Sequence, residues 1–158
     1  MLYKQPKSTT AMLYGIQNES NAIKELSNII GKEIRQVGFI IDETNPFLGA
    51  TPDGLVKEDG LVEIKCPYSI MDATPEEAIN NKTIRWATLQ NNKLKLNKNH
   101  KYFYQVQGQL HISRKEYCLF TIWSPKGIIF EKIERDDDFF ETFMRKKLEN
   151  FYYKCVLP

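Results

Sequence analysis

The sequence predicts an α/β fold in which helices flank a mixed β-sheet. Three observations lead to this prediction: a helical repeat of apolar residues over 12–30, short strand-like runs between residues 34 and 66, and two more strand-like runs followed by a helical segment after residue 117. Elements that are interspersed in this way pack as helices on the faces of one sheet.

The first half of the chain supplies one helix and three strands. Apolar residues recur at helical spacing over residues 12–30, and Gly31 is a natural stop for that helix. Residues 34–42, 48–56 and 61–66 are predicted strands. The last of them is apolar on both faces, as in a sheet that is covered on both sides, through Leu61, Val62, Ile64 and Cys66.

Between residues 74 and 112 the sequence predicts two helices around an ambiguous segment. The run Thr74-Pro75-Glu76-Glu77 is typical of a helix start, with a capping residue, a proline at the first position and acidic residues at the positive end of the dipole. Residues 82–99 are ambiguous, and the leucines around Asn91-Asn92 indicate a small hairpin. Residues 101–112 are predicted to be helical.

The C-terminal part predicts two strands and a final helix. The strands occupy residues 117–123 and 128–133, and Ser124-Pro125-Lys126-Gly127 forms the turn between them. Residues 136–153 are predicted to be helical, since three aspartates at their start suit a helix N-terminus.

Length and composition indicate a compact intracellular protein. A chain of 158 residues, 42% of them apolar, is expected to form one domain with a sizeable core. No run of eighteen apolar residues predicts a membrane span, and the N-terminus lacks the apolar stretch of a signal peptide. The three cysteines, Cys66, Cys118 and Cys155, are expected to be reduced core residues rather than a disulfide framework or a zinc site.

The most informative motif is Pro52-Asp53 followed, after nine residues, by Glu63-Ile64-Lys65. Side chains alternate along a strand, so Glu63 and Lys65 share one face and Ile64 takes the other. A turn over residues 54–60 would fold Asp53 back beside this strand. Two carboxylates and one ammonium would then converge, a set that suits a hard divalent cation such as Mg²⁺ or Mn²⁺ and a water held by the lysine.

The Glu-x-Lys pair has an ordinary alternative, which is an ion pair on an exposed hairpin. The short pattern is very common, and by itself it favours that alternative. Its surroundings favour a functional pair, because the strand is apolar on both faces and glutamate and lysine are rarely buried unless they are paired or functional. The preceding Pro-Asp-Gly and the following Cys-Pro point the same way.

Three motifs together resemble those of a known nuclease family. They are residues 15–22 (GIQNESNA, of the form G-x-x-x-E-x-x-A), the block from Gly49 to Pro67, and residues 104–110 (YQVQGQL). Their order and spacing are similar to those of the lambda-exonuclease-like (YqaJ-type) viral recombinases, a branch of the PD-(D/E)XK nuclease superfamily. The resemblance implies a PD-(D/E)XK, or restriction-endonuclease-like, core with a mixed β-sheet flanked by helices.

The resemblance also implies roles for the residues of the central block. Asp53 and Glu63 would be metal ligands, together with the main-chain carbonyl of Ile64. Lys65 would position the attacking water. The implied ion is Mg²⁺, for which Mn²⁺ would substitute.

Two further residues receive roles from the resemblance. Glu19 would supply another carboxylate from the first helix, directly to the metal or through water, although a helix glutamate is otherwise usually a solvated surface group. Gln105 would approach the same centre from the Q-V-Q helix. Gln107 lies two positions along that helix and so faces a different way.

The N-terminal arm is expected to be short relative to the family, whose members usually begin with a longer helical segment carrying an arginine that meets the DNA end. Fourteen residues precede Gly15 here, and their basic residues are Lys4 and Lys7. The expected organisation is therefore a single nuclease domain over residues 1–158.

A basic segment follows the central block. Residues 78–115 contain no aspartate or glutamate, and their eight cations lie among aromatic residues. Such a segment would attract phosphates and stack on unpaired bases, although a solvated basic face is the ordinary alternative. The candidate nucleic-acid-binding residues are Lys82, Arg85, Lys93, Lys95, Lys98, Lys101, Arg114 and Lys115.

These observations lead to the expectation of a metal-dependent deoxyribonuclease. The resemblance implies 5′-to-3′ exonuclease action on double-stranded DNA with a free end, in recombination or phage-type replication in the cytoplasm or nucleus of the host cell. It further implies a homotrimer and a single-strand annealing protein as partner. The alternatives are an endonuclease or single-strand nuclease of the same superfamily, and a catalytically silent DNA-binding recombination module.

Overall fold

The computed structural model describes residues 8–157, so Lys4 and Lys7 of the expected N-terminal arm lie outside the described residues. Its helices are α1 (Thr10–Ile30), α2 (Pro75–Asn80), α3 (Lys101–Ser113), α4 (Asp137–Phe140) and α5 (Lys146–Phe151). Its strands are β1 (Ile34–Arg35), β2 (Ile40–Ile41), β3 (Gly49–Ala50), β4 (Gly54–Val56), β5 (Gly60–Lys65), β6 (Ala87–Gln90), β7 (Lys93–Leu96), β8 (Tyr117–Ser124) and β9 (Gly127–Glu134).

A five-stranded sheet in the order β1-β4-β5-β8-β9 forms the centre of the fold. β5 is the middle strand, antiparallel to β4 and parallel to β8. The sheet is therefore mixed, and the predicted fold class is confirmed. The first five residues of β5 are all buried, which accounts for the apolar character of this strand on both faces.

Helices and a hairpin cover the two faces of the sheet. On one face, Ala22 and Leu26 of α1 pack against Val62 and Ile64 of β5. On the other, Phe103, Val106 and Leu110 of α3 share a core with Leu61, Phe120 and Ile122, and α2 and the β6–β7 hairpin join it. Strand alternation thus directs Glu63 and Lys65 to the α3 face and Ile64 to the α1 face.

Local chemistry explains where several elements begin and end. The Thr9 hydroxyl accepts from the main-chain N–H of Met12 at the start of α1, and Gly31 ends the helix at φ 62°. Thr74 and Glu77 form a reciprocal capping box at α2. Asn91 and Asn92 take φ values of 50° and 58° in the two-residue turn of the β6–β7 hairpin, which confirms the hairpin interpretation of this segment.

Two predicted strands are wrong as continuous elements. Residues 34–42 contain only β1 and β2, which pair with different strands, and the Asp42 side chain then turns the chain by accepting from the N–H groups of Thr44 and Asn45. Residues 48–56 divide into β3 and β4 on either side of Pro52, which has no N–H to donate to a ladder.

The C-terminal helix and one cysteine also differ from expectation. π-Helical turns at Glu141–Arg145 and Tyr152–Val156 interrupt the predicted continuous helix, and no residue in this segment accounts for the wider turns. The three cysteines are free, but Cys155 lies in the last turn and is exposed, so the prediction that it is a core residue is wrong. In the described part of the chain, no helix has the length and apolar character needed to cross a membrane.

Candidate active site

The β4–β5 hairpin places Asp53 beside the middle of β5. The Asp53 main-chain N–H donates to the Val62 carbonyl at 3.0 Å. Its carboxylate Oδ2 accepts from the Ile64 main-chain N–H at 2.6 Å. These two bonds lock the side chain next to Glu63, as the turn in the sequence predicts.

Glu63 is 3% exposed, and its carboxylate accepts three hydrogen bonds. Its Oε1 accepts from Lys65 Nζ at 2.6 Å and from Gln105 Nε2 at 2.7 Å. Its Oε2 accepts from Gln109 Nε2 at 2.9 Å. A carboxylate can be buried at this depth because N–H donors on both oxygens replace its hydration.

Lys65 is held from three sides. Its Nζ contacts Glu63 Oε1, donates to Gln105 Oε1 at 3.2 Å, and lies 4.4 Å from the centroid of the Tyr102 ring. Glu63, Lys65 and Gln105 therefore form a closed ring of hydrogen bonds, with an aromatic face over the ammonium. The Lys65 side chain keeps 18% exposure, so it remains accessible at the site.

An open cleft of about 510 Å³ lies between α1 and the end of β5. Asp53, Glu63, Ile64 and Lys65 contribute to its walls, and Glu19 faces it from α1. The apolar side of the cleft is formed by Met12, Ile16, Tyr68 and Tyr102, among others.

Burial and mutual repulsion raise the pKa of the neighbouring acids. Burial is the main cause that raises the pKa of Asp53 to about 7, and the negative charge of Glu63 is the second. The hydrogen bond from the Ile64 N–H acts in the opposite direction and lowers this pKa. The same two causes raise the pKa of Glu19. The pKa of the half-buried Cys66 thiol rises to about 12, chiefly through burial, so this cleft residue is not an activated nucleophile.

The donor set fits a hard divalent ion that keeps part of its hydration. Among residues 8–157, no three side chains of His, Cys, Asp or Glu lie close enough together to hold a metal ion. Asp53 and Glu63 thus offer two carboxylates, to which the Ile64 carbonyl would add a main-chain oxygen. Mg²⁺ commonly binds through one or two carboxylates and retains several waters. Glu19 lines the same cleft as these two acids.

The eight candidate nucleic-acid-binding residues are distributed over the segment after α2, the β6–β7 hairpin and its following loop, and the two ends of α3. Lys101 lies near the site, since its Nζ is 5.5 Å from the ring of Tyr102, which also covers Lys65. Lys95 on β7 is paired instead with Glu131 at 2.8 Å. Lys93 is exposed on β7, Lys98 lies over the Phe103 ring at 5.9 Å, and Arg85 donates to the Lys82 carbonyl within a local turn.

Arg114 and Lys115 lie near the start of β5, whereas Lys65 lies at the end of that strand. Arg114 lies 3.6 Å from buried Asp42, and Lys115 donates to the main-chain carbonyl of Glu58, just before β5 begins. Lys65 is at the other end of β5, and the two ends of this strand are roughly 16 Å apart at the rise per residue of a strand. Lys101 and Arg114 are close in sequence, but helix α3 lies between them and places them at its two ends.

Tyr102 and Gln109 are site residues that the sequence analysis does not predict. Gln109 lies four positions after Gln105 and therefore on the same face of α3, so helical spacing indicates Gln109 once Gln105 is placed at the site. Gln107 faces elsewhere: its side chain donates to the Glu134 carbonyl and accepts from the Asp136 N–H.

The raised pKa of Asp53 predicts a pH-dependent stability difference in the metal-free protein. The folded state retains the Asp53 proton up to about pH 7, whereas the unfolded chain loses it near the reference value of 3.8. The folded state therefore binds more protons in this window, and Asp53 reduces stability increasingly as the pH rises through it. Asp53→Asn should raise the melting temperature at pH 8 and leave it nearly unchanged at pH 4.

The measurement is thermal unfolding in EDTA at both pH values. Asp59→Asn, in the exposed turn between the same two strands, controls for the loss of one charge. Equal effects of Asp53→Asn at pH 4 and pH 8 would contradict the assignment of the raised pKa.

Comparison with known proteins gives the family and confirms the fold. Residues 1–116 match the model of the YqaJ-like viral recombinase domain. An alkaline exonuclease, LHK-Exo, from Laribacter hongkongensis superposes with a TM-score of 0.73 at 25% identity, over 94% of this chain and 70% of that chain. LHK-Exo in complex with dAMP gives 0.67 at 26% identity, over 96% and 77%.

A third structure, a phage-related exonuclease from Haemophilus somnus 129PT, shares the fold with a TM-score of 0.61 at 14% identity, over 88% of this chain and 68% of that chain. A comparison with curated proteins found no match. The family match covers well over half of the sequence and includes the α1 glutamate, the Asp53–Lys65 block and α3. The chain belongs to the family of YqaJ-like viral recombinase domains.

Proposed function

We propose that the chain is a metal-dependent deoxyribonuclease that degrades double-stranded DNA from a free end. The observation that carries this proposal is the arrangement of Asp53 and buried Glu63 beside Lys65 on an open cleft. Family membership and the exonuclease structures that resemble this chain support the same reaction class.

Asp53 and Glu63 would hold Mg²⁺, with the Ile64 carbonyl as a third ligand and Glu19 acting through water. Mn²⁺ is expected to substitute, since it accepts the same oxygen ligands. When bound, the ion would supply Lewis-acid polarisation of a phosphoryl oxygen and lower the pKa of a water.

Lys65 would orient the attacking water against the phosphorus. Its contacts with Glu63, Gln105 and the Tyr102 ring fix the ammonium, so little reorganisation is needed when substrate arrives. The same positive charge would offset the charge that develops on the phosphoryl oxygens. Gln105 is exposed at the site and would keep Lys65 and Glu63 together by bonding to both.

The finer features of the proposal rest on the family resemblance. They are 5′-to-3′ polarity with 5′-phosphate products, a homotrimer, and a single-strand annealing partner, in recombination or phage-type replication. One nuclease domain over residues 1–158 would carry the chemistry. A catalytically silent module is disfavoured, because Asp53, Glu63 and Lys65 are all present and converge; an endonuclease or single-strand nuclease would use the same centre.

The metal centre can be tested by three substitutions. Asp53→Ala and Glu63→Ala should abolish both Mn²⁺ binding and nuclease activity, because each removes a carboxylate ligand. Lys65→Ala should bind Mn²⁺ but lower kcat by about 10²-fold, the usual contribution of a group that positions a reacting water. Calorimetry and single-turnover digestion measure the two effects, with Glu58→Ala in an exposed turn as the control. Full activity in EDTA, or in Lys65→Ala, would refute this mechanism.

The proposed requirement for a DNA end predicts that the linear and the closed circular form of one plasmid are digested at different rates. Linearised plasmid should lose nucleotides progressively, whereas the same plasmid as a covalently closed circle should persist over the same time. Release of acid-soluble nucleotides and gel mobility measure the two reactions. Rapid cutting of the closed circle would replace the exonuclease assignment with the endonuclease alternative.

Lys101 begins α3 beside the site and Lys115 follows the other end of that helix, so we expect them to have different roles in DNA binding. Lys101→Gln should reduce the slope of log affinity against log salt by about 0.9, the value for one lost phosphate contact with duplex DNA. Lys115→Gln, the matched control, should leave the slope unchanged. Fluorescence anisotropy in Ca²⁺ over a salt series measures both slopes, and equal effects of the two variants would contradict a specific role for Lys101 in DNA binding.

A further inference from the structure

Two amides on one face of α3 contact Glu63, and they differ in burial. Gln105 is exposed, and it bonds to both Lys65 and Glu63 Oε1. Gln109 is 5% exposed and donates to Glu63 Oε2 at 2.9 Å. Gln105 can therefore meet a substrate, whereas Gln109 acts on the site only through Glu63.

The orientation of the Gln109 amide is imposed by Glu63. Its Oε1 is buried and has no hydrogen-bond partner among the described residues. Rotating the amide by half a turn would direct this oxygen at the Glu63 carboxylate, where the two acceptors would repel each other. The observed orientation leaves a buried acceptor unpaired, an arrangement that native structures seldom tolerate without a reason. The reason available here is the charge-assisted bond to Glu63.

Glu63 Oε2 accepts from Gln109, and Oε1 accepts from Lys65 and Gln105. Lys65 and Gln105 lie at the accessible part of the site, where substrate would exchange contacts with them. Gln109 supplies a contact from the interior, which persists when the others change. A carboxylate anchored through one oxygen has fewer orientations to lose on binding a cation.

We infer that Gln109 is a positioning residue that holds the Glu63 side chain for divalent-metal binding. This inference rests on the proposed function, since it assumes that Glu63 is a metal ligand. Partners of ligating groups typically change metal affinity by about 10–100-fold when they are removed. Gln109→Met keeps a side chain of similar length and volume but removes both the donor and the unpaired acceptor. It should therefore weaken Mn²⁺ binding by about 10–100-fold.

Gln107 provides the matched control on the same helix. It is 1% exposed and bonds to the Glu134 carbonyl and the Asp136 N–H rather than to the site. Gln107→Met should lower the melting temperature through those lost bonds while leaving Mn²⁺ affinity unchanged. A purely structural role for Gln109 would make the two variants behave alike.

The experiment is calorimetric titration of Mn²⁺ into the metal-free wild-type protein, Gln109→Met and Gln107→Met, with the melting temperature of each. The expected result is a 10–100-fold weaker Mn²⁺ affinity in Gln109→Met alone. Unchanged or tighter binding in folded Gln109→Met would overturn the inference. Should that variant fail to fold, Gln109→Asn retains an amide that is one methylene too short to reach Glu63 and is expected to show the same loss.

The wild-type titration separates this inference from the proposed function. If the wild-type protein binds Mn²⁺ and Gln109→Met binds it equally, the positioning role fails and the metal centre stands. If the wild-type protein binds no Mn²⁺, the metal centre itself is wrong and the role of Gln109 falls with it.

Discussion

The burial of one carboxylate organises the site. Glu63 lies in the middle strand of the sheet at 3% exposure, where an uncompensated charge would strongly disfavour folding. Its compensation comes from Lys65 on the same strand and from Gln105 and Gln109 on α3. The bonds to α3 span more than forty residues of chain, so the position of that helix over β5 is coupled to the charge at the site. A shift of α3 would leave a buried charge without its donors.

The two carboxylates of the site differ in the number of hydrogen-bond donors that they face. Glu63 faces three N–H groups, whereas the Asp53 side chain accepts from the Ile64 N–H alone among the described residues. Burial and the negative charge of Glu63 raise the pKa of Asp53 to about 7. Proximity of the two acids is therefore unfavourable without a cation, and a divalent ion would relieve it. This repulsion is a physical reason for proposing that the pair, rather than either carboxylate alone, would hold a metal ion.

The sequence predicts those parts of the site in which the residues are close to one another along the chain. Strand alternation gives the common face of Glu63 and Lys65, and the turn at residues 54–60 gives the return of Asp53. Gln109 follows from local helical spacing only after Gln105 is known to meet β5, which depends on how α3 packs. The runs at 34–42 and 48–56 are not continuous strands, because their composition favours β structure while the partner strands and Pro52 decide its extent.

The distribution of charge over the surface is even harder to predict from the sequence. The acid-free run over residues 78–115 is a property of the chain, and folding distributes it across a hairpin and both ends of α3. Lys101 begins α3 beside Tyr102 and Lys65, whereas Arg114 ends the helix against Asp42, at the far end of the sheet. Lys95 is neutralised by Glu131, an acid from outside the basic run. A phosphate backbone would encounter the field that remains after these pairings, and Lys101, which lies beside Tyr102 at the cleft, is therefore the residue of this run that we propose for DNA contact.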